Sequence, residues 1–459
     1  MKTTMRGRAG WLLGPIALGV SLAHGAPARQ PTDLGAGGGA TLFQNVRVFD
    51  GRGGALSGPR NVLVRGNRID RISPEPIPTE RGGNMVVVDG GGRTLMPGLI
   101  DAHWHALLVR PSTALLLQAE VGYLNLLAGA EAQATLLRGF TTVRDLGGPV
   151  FALKQAIDDG TVVGPRIYPS GAMITITSGH GDFRSSFEVP RVVGSPQSRG
   201  EQVGAAMIAD SPDEVRVRVR EQLLQGASQI KLTAGGGVAS PHSPLDASTF
   251  TESELRAAVE AAENWGTYVT VHAYTSASIR RAISAGVKCV EHGHLMDDST
   301  AQLIATKGIW LSTQPFPDEM ADAFPKGSVE HTKALQVFAG TDKTYALAKK
   351  HKVKLAFGTD ILFSSALAQR QGELLASLVR WFKPAEVLAM ATSTNAELMA
   401  LSGPRNPYPG KLGVVEEGAL ADLLLVDGDP LADIKLLANP EKNLLVIMKD
   451  GKIYKNSLR

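Results

Sequence analysis

The chain has 459 residues, of which 43% are hydrophobic and 20% charged, and its formal net charge is +3. This ordinary globular composition suits one barrel-sized domain together with a smaller one. Three basic residues near the N-terminus, Lys2, Arg6 and Arg8, account for the whole surplus, so the rest of the chain has no basic excess to bind nucleic acid or an anionic membrane.

Residues 1–28 have the layout of a secretory signal peptide. A basic start is followed by an apolar stretch at 11–23 and then by small residues suited to cleavage. The apolar stretch is too short to span a bilayer. We therefore expect a periplasmic or secreted protein, with a disordered tail as the alternative. Cys289 is the only cysteine, so no disulfide forms within the chain, and packing and bound metal must supply the stability.

Both ends of the chain carry the pattern of short strands. After a flexible lead-in at 29–40, short alternating runs separated by Gly and Pro clusters fill residues 41–94 and predict a small antiparallel sheet. Residues 405–459 repeat this pattern and include a hairpin signal with its turn at Asp450-Gly451. We expect the two ends to form one small β-sandwich domain.

The middle of the chain, residues 95–404, alternates strand-like apolar runs with longer helix-like stretches. The runs lie at 95–105, 141–146, 166–177, 229–235, 268–274, 289–295, 308–315 and 354–360. Helical spacing of apolar residues is found at 212–224, 251–265 and 371–382. Eight alternations predict an α/β fold, a closed parallel (β/α)8 TIM-like barrel. An open doubly wound sheet is the alternative, because periodicity does not show closure.

Polar residues stand where several of these runs end, which is the working face of a parallel barrel. Because the side-chain period of a strand is two, the two histidines after the first run would point the same way. Any one of these residues has a structural explanation, as a buried histidine or a helix cap. Together they are ligand types that zinc takes. They are His103 and His105 in the first run, Lys231 in the fourth, His272 in the fifth, His292 and His294 in the sixth, and Asp360 in the eighth.

Lys231 lies between two apolar neighbours, where a buried ammonium is costly and cannot bind a metal ion. Its neutral amine can react with carbon dioxide, however, and the resulting carbamate has two oxygens. Such an anion can bridge two cations about 3.5 to 4 Å apart, the spacing of binuclear hydrolytic sites. A plain carboxylate could do the same, so Lys231 alone does not establish a carbamate.

The whole pattern, a His-x-His pair on the first strand, Lys on the fourth, His on the fifth and sixth and Asp on the eighth, resembles the metal-dependent amidohydrolase superfamily. The resemblance covers essentially the chain after residue 40 and includes the segment Pro-Gly-Leu-Ile-Asp at 97–101. In finer detail the chain is similar to the clade of Xaa-Pro dipeptidase (prolidase)-like, carboxypeptidase-like and ochratoxinase-like enzymes, with imidazolonepropionases as neighbours. The matching stretches are Thr141-Thr142-Val143-Arg144-Asp145, Ser178-Gly179-His180-Gly181-Asp182, Val271-His272-Ala273-Tyr274-Thr275 and Glu291-His292-Gly293.

This resemblance implies two divalent metal ions, with Zn²⁺ as the family default, bridged by N6-carboxylated Lys231. Manganese, cobalt or iron would accept similar ligands. Asp360 would be a ligand and also the catalytic base, and then the acid that protonates the leaving nitrogen. The implied ligands are His103 and His105 with Asp360 at one ion, His272 and His292 at the other, and Lys231 between them.

The resemblance also implies residues that bind the substrate. His180, in the loop after the third strand, would hold a carboxylate or carbonyl of the substrate, with Tyr274 beside it. His294 would lie behind the ligands or against the substrate, or would be a surface histidine. Period-two geometry leaves it equivalent to His292, and the family pattern selects His292 as the ligand. Arg144 would be a further substrate contact, although an arginine followed directly by an aspartate can also form a buried ion pair.

The implied reaction is hydrolysis of an amide or peptide bond to a C-terminal amino acid, in an Xaa-Pro dipeptide, an N-acyl amino acid or an ochratoxin-like aryl amide. The two ions would activate a water for attack on the carbonyl. The alternatives are an imidazolonepropionase-like cyclic amide hydrolase or a mononuclear deaminase, against which Lys231 counts because a single ion needs no bridge. A non-catalytic binding protein of the same fold is a further alternative, but it should have lost ligands. The resemblance also implies a homo-oligomer, such as an octamer.

Overall fold

Short strands and helices alternate along the computed structural model, which describes residues 39–78, 85–189, 191–192, 194–240 and 242–458. The predicted signal peptide and the lead-in up to residue 38 lie outside these ranges. Within them the strands are, in chain order, β1 Ala40–Val48, β2 Pro59–Arg65, β3 Arg68–Ser73, β4 Val86–Asp89, β5 Thr94–Pro97, β6 Leu99–Trp104, β7 Phe140–Asp145, β8 Arg166–Pro169, β9 Met173–Thr175, β10 Ala206–Ile208, β11 Ile230–Thr233, β12 Val269–Thr275, β13 Cys289–Leu295, β14 Trp310–Thr313, β15 Lys354–Phe357, β16 Leu423–Val426, β17 Leu444–Lys449 and β18 Lys452–Asn456.

The helices stand mainly between the strands of the middle region. In chain order they are α1 Thr113–Gln118, α2 Val121–Leu137, α3 Phe151–Asp158, α4 Arg199–Gln202, α5 Pro212–Leu224, α6 Glu252–Glu263, α7 Ser276–Ser284, α8 Asp298–Thr306, α9 Val329–Phe338, α10 Thr341–His351, α11 Ser365–Gln369, α12 Gln371–Ser377, α13 Pro384–Ala389, α14 Asn395–Ala400 and α15 Pro440–Asn443. Single 3₁₀ turns include Ser186–Glu188, Asp318–Ala323 and Leu378–Arg380, and a π-helical turn at Met390–Thr394 joins α13 to α14.

The two ends of the chain share one eight-stranded sheet. Its order is β18-β17-β16-β5-β1-β2-β3, with β4 also paired to β1. β1 pairs antiparallel with β2 but parallel with β4 and β5, so this sheet is mixed where the sequence predicted an antiparallel one. After the β2–β3 hairpin the chain crosses to the other edge of β1, and such a crossover produces parallel pairs. β16, from the C-terminal end, pairs with β5 and joins the two ends.

One apolar cluster joins strands from the two ends of the chain within the terminal sheet. Phe43, Val62 and Leu95 from the N-terminal strands pack with Leu423 and Val446 from the C-terminal strands, and all five are buried. Strands from the two ends of the chain therefore stabilise each other. The β-sandwich form of this region stays a prediction.

The middle of the chain forms two parallel sheets, ordered β6-β7-β8 and β10-β9-β11-β12-β13-β14-β15. Backbone hydrogen bonds connect both edges of the three-stranded sheet to the seven-stranded one. The Ser228 amide, before β11, donates to the Pro169 carbonyl of β8 at 2.8 Å, and the Asp360 amide, after β15, donates to the His103 carbonyl of β6 at 2.8 Å. The mixed α/β class is confirmed, and closure into a barrel stays a prediction that these bonds support.

Two of the predicted strands are interrupted, each at a glycine. The run at 95–105 contains the end of β5 and all of β6, because the chain passes from the terminal sheet to the parallel sheet at Gly98. A Cβ at Gly98 would lie 2.0 Å from Thr141 Oγ1, so no larger residue fits. The run at 166–177 divides into β8 and β9, with Gly171 at a φ of 73° between them. Glycine tolerates both the close approach and the left-handed turn.

The helices predicted at 212–224, 251–265 and 371–382 are observed as α5, α6 and α12, the last followed by a 3₁₀ turn. Ser211 and Thr251 cap the first two by accepting backbone N–H hydrogen bonds. Val219 of α5 packs in the same apolar cluster as Leu232 of β11, which places this helix against the parallel strands. No helix in the described part of the chain has the length and apolar character needed to cross a bilayer.

Candidate active site

Six predicted metal ligands meet at the carboxyl ends of the parallel strands. Parallel pairing aligns these ends; for example, Lys231 lies opposite Thr270, and His292 opposite Ala273. All six side chains line one cavity of about 370 Å³. They are His103 in β6, His105 directly after it, Lys231 in β11, His272 in β12, His292 in β13 and Asp360 after β15.

Asp360 lies at the centre of this group. Its Oδ1 is 3.2 Å from Nε2 of both His103 and His105, and its Oδ2 is 3.9 Å from His292 Nδ1. Lys231 Nζ is 3.5 Å from His103 Nε2. The rings of His272 and His292 are 4.4 Å apart between centroids. The donor atoms are thus close enough to share cations, and those of His103, His292 and Asp360 all lie within 4.8 Å of one another.

Each of the four histidines has one ring nitrogen beside a hydrogen-bond acceptor of the protein. A ring N–H that donates to such an acceptor leaves the other nitrogen unprotonated, with its lone pair free for a metal ion. The pairs are His103 Nδ1 with Glu291 Oε2 at 3.0 Å, His105 Nδ1 with the Gly147 carbonyl at 3.2 Å, His272 Nε2 with the Gly236 carbonyl at 2.9 Å, and His292 Nδ1 with Gln314 Oε1 at 2.7 Å. The donor set therefore fits divalent cations.

The electrostatics favour the metal-binding protonation states of His105, His272, His292 and Asp360, but not of His103. Burial lowers the pKa of His105, and it lowers the pKa of His272 and His292 well below the ordinary value, which keeps these imidazoles neutral. Burial also disfavours ionised Asp360, but the surrounding histidines outweigh it and hold its pKa well below the usual range. For His103, burial and Lys231 are outweighed by Asp360 and Glu291, so its pKa is raised. The ionised Asp360 and the neutral imidazoles are metal-binding forms.

Lys231 is buried among these groups with 2% of its surface exposed. Burial lowers its pKa to about 8, even though the carboxylates of Glu291 and Asp360 act in the opposite direction. An amine with this pKa is neutral far more often than a surface lysine. The neutral amine is the form that reacts with carbon dioxide.

Backbone strain is concentrated at two of these positions. His292 has a φ of 80° and Asp360 a φ of 52°, a region that costs a non-glycine residue about 1 to 3 kcal/mol. At His292 the strain continues into Gly293, with a φ of 72°. Strain of this kind persists where the surroundings fix the conformation, and it is common at functional sites.

His292 and His294 do not share a face, because the two left-handed residues at 292 and 293 interrupt the strand alternation. His292 joins the cluster, whereas the ring of His294 stacks on Phe316 at 5.1 Å. Its Nε2 is 3.0 Å from the Gln314 carbonyl, and burial lowers its pKa to about 4. His294 is fully buried. In the part of the chain that the structure describes, it lines neither the cavity of the ligand cluster nor the larger cavity beside it, which is described below.

Arg144 belongs to a buried ion-pair chain beneath the cluster. Its Nη2 is 2.7 Å from Glu291 Oε1, and the other oxygen of Glu291 faces His103. Arg144 also donates hydrogen bonds to the Ala102 carbonyl at 2.6 Å and to Tyr268 Oη at 3.1 Å. With no exposed surface and no place in either cavity lining, Arg144 is not at the predicted substrate-contact position. It forms the alternative buried pair, but with Glu291 across the strands instead of the adjacent aspartate.

Glu291 and Gln314 contact the candidate ligands, and the sequence analysis assigned neither of them a role. Gln314 directly follows β14, and its amide touches two histidines, with Oε1 on His292 and Nε2 3.3 Å from His103 Nδ1. The seventh apolar run contains this glutamine, and a polar residue at its carboxyl end was the signal that could have found it. Glu291 was visible only as part of a family motif.

The remaining predicted residues lie at the cavities. His180 lines the cavity of the metal-ligand cluster and also a larger neighbouring cavity of about 600 Å³; Tyr274 lines the larger one. Burial lowers the pKa of His180 to about 3 and raises the pKa of Tyr274 well above its ordinary value. His180 is therefore neutral and Tyr274 protonated at physiological pH. Their rings flank His272, at 4.3 and 4.7 Å between centroids.

The larger cavity has a mainly apolar wall. Its lining includes Asp360 and His272 together with Val238 and Ala239 of the loop after β11. Its apolar lining includes Phe316, Met320, Phe324, Phe338, Leu362 and Phe363. A bulky apolar group is the kind of ligand that such a wall holds.

Comparisons with known proteins identify similar chains. Residues 94–454 match the family model described as the amidohydrolase family. Ochratoxinase of Aspergillus niger is 34% identical over 385 residues, which cover 79% of this chain and 75% of that protein. A crystal structure of an amidohydrolase shares 35% identity with a TM-score of 0.83, covering 92% of this chain and 100% of that one. A prolidase complexed with N-methylphosphonate-L-proline shares 32% identity with a TM-score of 0.83, covering 91% and 100%.

Proposed function

Because this chain belongs to the amidohydrolase family and is a hydrolase acting on carbon–nitrogen bonds, we propose that it cleaves an amide or peptide bond to a C-terminal amino acid, using two divalent metal ions. One observation carries the proposal. Four buried imidazoles, each with one nitrogen beside a protein acceptor, surround an ionised carboxylate and a buried amine. This donor set has the composition of a binuclear hydrolytic site.

The proposed assignment of ligands to the two ions follows from which side chains lie next to each other. His103 and His105 both lie against Asp360 and would hold one ion, while His272 and His292, with adjacent rings, would hold the other. Lys231, carboxylated on Nζ, would bridge the two. When bound, such ions polarise the substrate carbonyl and lower the pKa of water, and zinc is proposed as the native metal.

Side chains of the protein then transfer the protons and bind the substrate. Asp360, ionised and 14% exposed towards the cavity, takes the proton of the attacking water and delivers it to the leaving nitrogen. Tyr274, which stays protonated, donates a hydrogen bond to the oxyanion that develops on the carbonyl oxygen. His180 is neutral and binds the substrate through a hydrogen bond.

The larger cavity narrows the substrate class. An amide whose scissile carbonyl lies near Asp360 would extend one side into the apolar wall formed by Phe316, Phe338 and their neighbours. We expect that side to be a bulky hydrophobic acyl or aryl group, as in a hydrophobic Xaa-Pro dipeptide, an N-aryl-acyl amino acid or an ochratoxin-like aryl amide. The relatives named ochratoxinase and prolidase support these candidates.

Three further features complete the proposal. The parallel strands close into an eight-stranded barrel, supported by the backbone bonds between β8 and β11 and between β15 and β6. The chain is exported by its N-terminal signal and acts outside the cytoplasm. It assembles as a homo-oligomer.

The first experiment counts metal and measures hydrolysis on the same preparation. We expect about two metal ions per chain, amino-acid release from at least one of a panel of hydrophobic Xaa-Pro dipeptides, N-acyl amino acids and ochratoxin A, and loss of release on chelation. One ion or none, with no release from any panel member, would replace this proposal with a cyclic amide hydrolase, a deaminase or a binding protein.

Asp360→Asn tests the proton-transfer role on that assay. The substitution keeps the size of the side chain but removes the base, so turnover should fall by about 10²-fold or more. Asp322→Asn, on a half-exposed surface carboxylate, is the matched control and should retain turnover. Near wild-type turnover by Asp360→Asn with metal bound would remove Asp360 from the mechanism.

A further inference from the structure

We propose that Lys333 is a positioning residue for substrate binding. It anchors the loop after β11, residues 235–240 and 242–248, and thereby fixes His180 and one wall of the larger cavity. The idea rests on the proposed function, in that it concerns how the same site recognises its substrate. Lys333 itself lies on α9, far along the chain from this loop, and nothing in the sequence pattern singled it out.

The ammonium of Lys333 faces the inside of this loop. With 9% of its surface exposed, the side chain reaches from α9 to three backbone carbonyls of the loop. Its Nζ donates to the carbonyls of Gly237 at 3.3 Å, Ser240 at 2.9 Å and Ser243 at 2.7 Å. Hydrogen bonds from an ionised donor are stronger than neutral ones, and three of them gather the loop around one charge.

Ser240 transmits this anchoring to His180. Its Oγ is 3.0 Å from His180 Nδ1 and also accepts a hydrogen bond from the Gly181 amide at 2.9 Å. The residue is buried, and its carbonyl is one of the three that Lys333 holds. The position of His180 therefore depends on where Lys333 keeps Ser240.

Gly237 adds a second contact between the loop and His180. A Cβ at Gly237 would lie 2.0 Å from His180 Nδ1, so the loop backbone packs directly on the imidazole ring. The carbonyl of Gly237 is also held by Lys333. Any movement of this backbone would thus move or release His180.

The same loop and helix both contribute to the lining of the larger cavity. Val238 and Ala239 of the loop line it, and so does Phe338 at the end of α9. Lys333 connects the two elements, because its stem belongs to α9 and its ammonium binds the loop. The anchor should therefore matter most for the group that enters this cavity.

Lys333→Met tests the proposal because methionine keeps the apolar stem and removes the ammonium that donates to the loop carbonyls. With a hydrophobic panel substrate we expect KM to rise at least 10-fold, kcat to stay within about threefold, and metal content to be unchanged. Lys333→Arg should recover part of the affinity, since it keeps a charged donor. Lys326→Met, at a lysine whose side chain is 80% exposed near the start of the same helix, is the matched control and should leave both constants unchanged.

A double-mutant cycle separates positioning from a general structural role. If Lys333 acts partly through Ser240, then Ser240→Ala alone should raise KM, and adding Lys333→Met should raise it by a smaller factor than Lys333→Met does in the wild type. Fully additive effects, equal losses of kcat and metal content, or an unchanged KM in Lys333→Met would each overturn the proposal.

Hydrogen exchange measures the anchor without any substrate. In metal-loaded protein, Lys333→Met should accelerate amide exchange in a peptide covering the loop, while peptides from β6 and β13 exchange as in wild type. Unchanged exchange in the loop would refute the anchor even if the wild type cleaves its substrate. Selective acceleration in a protein that cleaves no panel member would support the anchor and reject the proposed function.

Discussion

The side-chain amide of Gln314 contacts two of the proposed metal-binding histidines. It lies between His292 and His103, which belong to different ions in the proposed site. By accepting the N–H of His292 Nδ1, it leaves Nε2 of that ring as the metal-binding atom. Mutation of a residue that hydrogen-bonds to a metal ligand typically lowers metal affinity by 10 to 100-fold.

Gln314→Leu should therefore weaken metal binding about 10 to 100-fold at the ion held by His272 and His292. Gln314→Glu, which keeps an acceptor oxygen, should bind more tightly than the leucine variant. Equilibrium titration of the metal-free protein measures both, with Gln336→Leu on the exposed surface as the control. Equal affinity of wild type and Gln314→Leu would show that the amide has no part in orienting His292.

The sequence analysis could find candidate site residues from their position at the end of their own strand. It could not find residues whose role depends on a contact with a different strand. His103, His272 and Asp360 could be found because each stands at the end of an apolar run. Arg144, for which a substrate contact was predicted, instead lies 2.7 Å from Glu291 of β13, and this contact depends on how the strands are arranged around the core. No single-sequence pattern encodes that contact.

At the scale of elements, the helical segment formed by α13, a π-helical turn and α14 connects the two parallel sheets. A π-helical turn at Met390–Thr394 precedes Asn395 and shifts the residues after it around the helix axis. Asn395 Nδ2 donates to the carbonyls of Ile100 at 2.7 Å and Phe357 at 2.8 Å, and its Oδ1 accepts from the Phe357 amide at 3.0 Å. One side chain thus joins β6 to β15.

Asn395→Ala should lower the free energy of unfolding by about 3 kcal/mol or more, because three buried backbone groups lose their partner at about 1 to 3 kcal/mol each. Urea unfolding of the metal-free protein measures the change. Asn125→Ala, which removes one surface hydrogen bond on α2, should cost less than about 0.5 kcal/mol. A similarly small loss in the free energy of unfolding in both variants would mean that contacts other than those of Asn395 hold β6 and β15 together.

Element positions were more predictable than element boundaries. Strand-length runs and helical spacing located the parallel strands and α5, α6 and α12, because burial sets those periods. The division of 95–105 at Gly98 and of 166–177 near Gly171 could not be predicted, since a glycine inside an apolar run does not say whether the chain changes sheets there. Likewise, the parallel pairing of β1 with β5 depends on the path of the intervening chain.

At the scale of the whole molecule, the buried amine of Lys231 links stability to pH. Its pKa is about 8 in the folded protein, chiefly through burial, against an ordinary value of 10.5. Between these values the unfolded chain binds a proton that the folded chain lacks, so stability rises with pH across this window.

Metal-free protein kept free of carbon dioxide should accordingly gain more free energy of unfolding between pH 8 and about pH 10 than the Lys231→Met variant does. Urea unfolding at the two pH values gives this difference, and the variant removes the contributions of other titrating groups. If wild type and variant changed equally, Lys231 would not be buried as a neutral amine.

The distribution of the proposed ligands along the chain also determines when the proposed metal site can form. His103 is synthesised before Asp360, and the terminal sheet is completed only by β17 and β18, which follow both. A nascent chain on the ribosome, or one still threading through a secretion channel, therefore holds no assembled site, because binding and folding are coupled. Under the proposed function, metal binding would follow folding, and the compartment where folding ends would supply the ions. For the exported enzyme proposed here, the environment outside the cytoplasm would select the metal.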